Sequence, residues 1–153
     1  MRLFPAYLFG ALLVFLISET PASADIDNDA LLSPRPARHL SAYGLFENLT
    51  AQKPAAGVVM YDLQVPLFTD YAAKYRFVYV PASTPAVYHD TEVFDFPVGS
   101  VLIKTFAYPA DMRTPDQNIR LIETRLLIHQ QKGWSAWAYV WNEAQTDATL
   151  KVA

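Results

Sequence analysis

The sequence predicts an all-β fold, either an antiparallel β-sandwich or an open, jelly-roll-like barrel of about six to eight strands. From residue 58 onward, short runs of apolar, β-branched and aromatic residues are separated by Pro, Gly and Asp. None of these runs shows the 3.6-residue period of a long amphipathic helix. The connections are also too short and too rich in proline for the crossover helices that a parallel sheet requires.

The first 24 residues have the three parts of a secretory signal peptide. Arg2 gives the positive start, residues 3–17 are apolar, and the small residues 22–24 form a cleavage site before Asp25. The alternative is a membrane anchor, but an apolar run of about 15 residues is shorter than the roughly 20 that cross a bilayer as a helix. We therefore expect a periplasmic protein without a stable membrane span after cleavage.

The remaining 129 of the 153 residues have the size of one domain. Residues 25–52 are predicted as an irregular lead-in, because Pro34 and Pro36 favour extended backbone. A short helical turn is expected between residues 40 and 49. Residues 53–153 are predicted as the β-rich domain.

Six strands are predicted in the β-rich domain. The strand at residues 75–80 alternates cleanly and places Tyr75, Phe77 and Tyr79 on one face. Gly133 is expected to form the turn of a hairpin between the fourth and fifth strands. In chain order, the other predicted strands are residues 58–65, 101–108, 120–130, 134–141 and 148–152.

Composition argues against several classes of function. The chain has no cysteine, which removes thiol catalysis, thiolate metal sites and haem attachment through a C-x-x-C-H motif. Basic and acidic residues are interspersed and the net charge is −3, unlike the surface of a nucleic-acid-binding protein. His39, His89 and His129 lack the spacing of common metal sites. We therefore expect no metal, no cofactor in this chain and no nucleic-acid partner.

Lys104, Glu123 and Arg125 form a candidate charge cluster. Alternation along residues 120–130 places Glu123 and Arg125 on one face, together with Leu121 and Leu127. A cross-strand ion pair on a half-solvated face is the first interpretation. A sugar or carboxylate site is the second, and an enzyme that uses Glu123 and Lys104 is the third, although general acid–base catalysis needs a second carboxylate. The opposite face is predicted to be core: Ile122, Thr124, Leu126 and Ile128.

Trp137, Tyr139 and Trp141 share one face of the predicted strand at residues 134–141. They are a candidate aromatic interface, but core packing is the first interpretation of this row, an interface with another domain is the second, and a stacking platform for a ligand is the third. Because large exposed aromatic patches are uncommon on monomers, we expect this row to be covered.

Eight motifs follow one another in order between residues 43 and 150. They are YGLF at 43–46, YDL at 61–63, PLFTDYAAK at 66–74, FDFPVG at 94–99, LIKTF at 102–106, IETRLL at 122–127, YVWNE at 139–143 and TDA at 146–148. With these motifs the chain resembles a largely uncharacterised family of bacterial exported, di-haem c-type cytochromes. In that family, a region of this kind precedes the haem-binding part.

The resemblance implies a non-catalytic accessory domain in electron transfer, and it assigns no catalytic or cofactor-binding residue. Members of the family continue to C-x-x-C-H motifs, whereas this sequence reaches Ala153 without a cysteine. Haem c is therefore expected only in a C-terminal continuation, and the expected partner is a c-type cytochrome domain in cis or in trans. A periplasmic carbohydrate- or small-ligand-binding β-sandwich is the alternative function.

Overall fold

The computed structural model describes residues 25–151, and in this part of the chain the all-β, antiparallel prediction is confirmed. Each strand of the six-stranded sheet pairs with the next strand in the chain, so the sheet is a meander without the Greek-key crossover of a jelly roll. The predicted signal peptide, residues 1–24, lies outside the described residues. The strands of this sheet are β3 (Val58–Met60), β4 (Ala73–Tyr79), β5 (Val101–Pro109), β6 (Ile119–Gln130), β7 (Gly133–Trp141) and β8 (Ala148–Leu150).

The predicted lead-in forms a layer that covers the inner face of this sheet. It contains α1 (Asn28–Leu32), a 3-10 helix (Leu40–Tyr43) and β1 (Phe46–Asn48). Strand β1 forms a two-stranded sheet with β2 (Lys53–Pro54), which directly follows the predicted lead-in. The Asp27 carboxylate caps α1 by accepting a hydrogen bond from the Ala30 N–H at 2.9 Å. This layer supplies several of the most deeply buried side chains of the core: Leu31, Leu40, Tyr43 and Leu45.

Strand β3 is shorter than the predicted strand at residues 58–65. It ends at Met60, where the Asp62 carboxylate accepts hydrogen bonds from the Leu63 N–H and the Arg76 guanidinium, at 2.8 and 2.9 Å. These local bonds compete with the strand ladder and turn the chain away from the sheet. Residues 61–72 therefore form a loop between β3 and β4.

A β-bulge in β6 changes the predicted alternation. Phe106 pairs with Glu123 and Ala107 pairs with Leu121, so that Ile122 is an extra residue on β6. Leu121 is consequently 4% exposed and Ile122 is 39% exposed, the reverse of the prediction. The later residues follow the predicted core face: Thr124, Leu126 and Ile128.

Several buried polar groups of the inner face are hydrogen-bonded to one another. The hydroxyls of Thr105 and Thr124 lie 2.8 Å apart, and the Trp141 indole N–H donates to Thr124 Oγ1 at 3.0 Å. The Tyr43 and Tyr139 hydroxyls also lie 2.8 Å apart, and the Tyr139 hydroxyl donates to a backbone carbonyl of the lead-in. Buried groups satisfied in this way stabilise the core at little desolvation cost.

Candidate functional site

Lys104, Glu123 and Arg125 lie together on the outer face of the six-stranded sheet. Lys104 on β5 is directly opposite Arg125 on β6, and the Arg125 Nε–H donates to Glu123 Oε1. Both cations contact the ring of Phe106: Lys104 Nζ lies 4.7 Å and Arg125 Cζ lies 5.0 Å from its centroid. These are cation–π distances, so the aromatic ring helps to hold the two cations at one place.

Two cations that the sequence analysis did not single out extend this cluster onto β4. Arg76 is directly opposite Lys104, and Lys74 is directly opposite Phe106. Arg76 is buried, and its Nη1 donates to Asp62 Oδ1 at 2.9 Å. The alternation of residues 75–80 already placed Arg76 on the face opposite to Phe77 and Tyr79, but only the strand register shows that it adjoins Lys104. We call these four residues the outer cation cluster: Lys74, Arg76, Lys104 and Arg125.

The outer cation cluster has more positive than negative charge. Its two neighbouring carboxylates, Asp62 and Glu123, each pair with one arginine. Among residues 25–151, no carboxylate oxygen lies within 4 Å of Lys104 Nζ. Partial burial lowers the pKa of Lys104, and Arg76, Lys74 and Arg125 lower this pKa further. A local excess of cations therefore stands on a chain whose net charge is −3.

An apolar groove of about 380 Å³ begins at Lys104 and Arg125 and follows the outer face. Its floor is formed by Ala136 and Ala138 on β7, which are opposite Leu127 and Arg125. These small side chains leave space where larger ones would fill the surface. The groove is bordered by Tyr61 and Leu102. We call this depression the outer groove.

A second apolar hollow of about 510 Å³ shares Tyr61 and Leu102 with the outer groove and continues beneath residues 86–96. Aromatic contacts hold this segment over the sheet. The Phe96 ring packs edge-on against Trp134 with centroids 6.1 Å apart, and Trp134 stacks on His129 at 4.7 Å. The outer face thus changes from aromatic at one end, through an apolar middle, to cationic at the other end.

The predicted aromatic interface at Trp137, Tyr139 and Trp141 lies on the inner face and belongs to the core. Tyr139 and Trp141 are buried, and the partly buried Trp137 packs against the core cluster. The layer that precedes the sheet covers this row, as the edge-on contact between the Tyr43 and Tyr139 rings shows. Core packing, the first interpretation from the sequence, is what the structure shows, and the interface interpretation is corrected.

Exposed apolar side chains are concentrated in residues 65–71, which we call the apolar loop. The Phe68 and Tyr71 rings contact each other edge-on, with centroids 5.0 Å apart. Asp70 and Tyr71 both have positive φ angles, of 41° and 62°, which non-glycine residues rarely adopt. The exposed fractions are 86% for Val65, 83% for Leu67, 71% for Phe68 and 75% for Tyr71.

Two kinds of feature in the described part of the chain bear on metal and membrane binding: groups of metal ligands and helices of membrane-spanning length. Over residues 25–151, no group of three or more His, Asp or Glu side chains is placed to hold a metal ion. No helix in this range is long and apolar enough to cross a bilayer.

Comparison with known proteins does not identify a relative. No family model matches the chain, and neither a curated protein nor a solved structure is significantly similar to it. The function must therefore be inferred from the geometry described above and from the sequence motifs.

Proposed function

We propose that this chain is a non-catalytic periplasmic domain that docks a c-type cytochrome domain through the apolar loop. The observation that carries the proposal is the exposure of four large apolar side chains within seven residues. Contiguous apolar patches are uncommon on the surface of a monomer and are typical of interaction sites. The two consecutive positive φ angles at Asp70 and Tyr71 further support a functional role, because strained backbone is often found at such sites.

The sequence motifs and the local charge support a cytochrome as the partner. The motif PLFTDYAAK at residues 66–74 is the longest that carries the resemblance, and it contains most of the apolar loop. These exposed residues add little to the core of this domain, so a role in folding does not explain them. Lys74 Nζ donates to the Leu67 carbonyl and places a cation beside the loop. An apolar surface next to a cation complements a haem edge, which combines an apolar ring with carboxylates.

An enzyme that uses Glu123 and Lys104 has less support. Glu123 accepts a hydrogen bond from Arg125, and the nearest other carboxylate of the cluster, Asp62, pairs with Arg76. Each carboxylate is thus already engaged in an ion pair with a guanidinium. General acid–base catalysis needs a carboxyl group that is placed to exchange a proton with a substrate.

Site-specific photocrosslinking in the periplasm tests the docking proposal. A photoreactive amino acid replaces Phe68 in one strain and Tyr88 in a matched strain, because Tyr88 is also a largely exposed aromatic that contacts a neighbouring ring. We expect an adduct that stains for covalent haem from position 68 and none from position 88. An adduct without haem, or no adduct from position 68, would contradict the proposal.

A further inference from the structure

We infer that the outer groove binds an amphipathic monocarboxylate, with its carboxylate at Lys104 and Arg125 and its aliphatic tail over Ala136 and Ala138. This inference does not rest on the docking proposal, because none of the groove-lining residues belongs to the apolar loop. It follows from two observations that are independent of each other. One is the charge at the end of the groove, and the other is the shape and lining of the groove itself.

The excess of positive charge at the end of the groove favours the binding of an anion. The four members of the outer cation cluster face only two carboxylates, and each carboxylate is already held by an arginine. Lys104 has no carboxylate partner among the described residues. Arg125 uses its Nε–H for Glu123, so its terminal N–H groups remain to donate to a second acceptor. A carboxylate ligand at this position would supply a counter-charge to Lys104 and a second acceptor to the terminal N–H groups of Arg125.

The lining of the groove selects an apolar tail. Apart from Lys104 and Arg125, which lie at one end, the groove is lined by apolar and aromatic residues only: alanine, leucine, isoleucine, tyrosine and tryptophan. A sugar would need polar partners along its whole length, which this lining does not provide. The volume of about 380 Å³ falls within the range of roughly 300–1,000 Å³ that is typical of small-molecule pockets. The adjoining hollow beside Tyr61 and Leu102 gives space for a longer tail.

Titration calorimetry with octanoate, decanoate and 1-octanol measures both parts of the inference. Octanoate should bind one-to-one, and 1-octanol, which has the same chain length without the charge, should bind at least about ten-fold more weakly. Decanoate should bind more tightly than octanoate, by up to about four-fold for each additional buried methylene. Equal affinities for octanoate and 1-octanol, or no binding of octanoate at millimolar concentration, would overturn the inference.

Variants separate the roles of charge and shape. Lys104→Met should lower the affinity for octanoate about ten-fold and leave the affinity for 1-octanol unchanged. Lys53→Met is the matched control, because Lys53 is an exposed lysine that pairs with Glu47 away from the groove. Ala136→Leu should block both ligands by filling the floor, and Ala138→Val provides a smaller substitution if the first variant does not fold. Equal effects of the two lysine variants would contradict the inference.

The two proposals can fail separately. With the photoreactive amino acid kept at position 68, Leu67→Ser should weaken the haem-staining adduct, because Leu67 is an exposed apolar-loop residue, and it should leave octanoate binding unchanged. Ala136→Leu should abolish octanoate binding and leave the adduct unchanged. If Leu67→Ser also abolished octanoate binding in a folded protein, the apolar loop would belong to the ligand site and the assignment of octanoate to a separate groove would be wrong.

Discussion

The two faces of the six-stranded sheet differ in how far their polar groups have partners. On the inner face, the hydroxyls of Thr105 and Thr124 pair with each other, and the Trp141 indole N–H has an acceptor. On the outer face, Lys104 has no carboxylate partner among the described residues, and cations outnumber carboxylates. A polar group without a hydrogen-bond partner costs much free energy in the interior, and it costs little on the surface, where water can take the partner's place. Folding therefore constrains the inner face, whereas the outer face is free to carry a function.

The largest effect should come from removing the central hydroxyl of the inner face. Thr124→Val keeps the shape of the side chain but leaves the Trp141 N–H and the Thr105 hydroxyl without their partner. We expect the free energy of unfolding to fall by about 2–4 kcal/mol, measured by urea denaturation. Thr105→Val, which breaks only one of these bonds, should cost about half as much. Equal and small costs would show that water reaches this part of the core.

Alkaline pH should destabilise the protein through Tyr139, a buried tyrosine of the inner face. Burial and the hydrogen bond to Tyr43 raise the pKa of Tyr139 above its usual value of about 10. The unfolded chain therefore loses this proton first, so stability is complete below pH 10 and is lost as the pH rises further. We expect a loss of about 1.4 kcal/mol per pH unit above pH 10 from this group.

Denaturation of Tyr139→Phe over the same pH range isolates that contribution. The variant should be less stable than the wild type at neutral pH, because its hydrogen bonds are lost, but its stability should decline less steeply above pH 10. Part of the decline should remain, since the pKa of Tyr75 is also raised by burial. Parallel pH profiles for the variant and the wild type would exclude Tyr139 as the source.

Where strands are long and regular, alternation in the sequence predicted which residues lie on the inner face. Alternation correctly placed Phe77 and Tyr79 on one face of their strand, and both are buried. It also correctly placed Thr124 on the core face of another strand. It failed at Leu121 and Ile122, because a bulge is set by the pairing of two strands and leaves no mark on one strand alone. The covering layer was missed for a similar reason. A helix of five residues and a strand of two are too short to show a period.

The outer face was predictable in part. The sequence placed Glu123 and Arg125 on one face and suggested Lys104 as a neighbour, and the structure brings the three together. The addition of Arg76 depends on strand register, which is decided by contacts between distant parts of the chain. The outer groove was not foreseen, because Ala136 and Ala138 look like close-packed core residues until the face that they occupy is known.

Two tryptophans of the inner face allow a matched test of its hydrogen bonding. Trp141 Nε1 donates to Thr124, whereas Trp137 Nε1 is buried and has no partner in the described part of the chain. Trp→Phe removes a similar volume at both sites, so the difference between the two variants reports mainly the hydrogen bond. We expect Trp141→Phe to cost about 1–2 kcal/mol more than Trp137→Phe, measured by urea denaturation. A larger cost at Trp137 would indicate an acceptor for its N–H.

The smallest effects should come from the outer face, and they should have opposite signs. The Arg125 side chain is 61% exposed and that of Glu123 is 21% exposed, so Glu123→Gln should lower the free energy of unfolding by at most about 1 kcal/mol. Lys104→Met removes a cation whose charged neighbours are other cations, and stability should be unchanged or should rise slightly. Both changes should become smaller in 1 M NaCl, where charges are screened beyond about 3 Å. A destabilisation by Lys104→Met that persists in high salt would show that Lys104 stabilises the fold by packing on Phe106, which would remove the main reason to place an anion beside it.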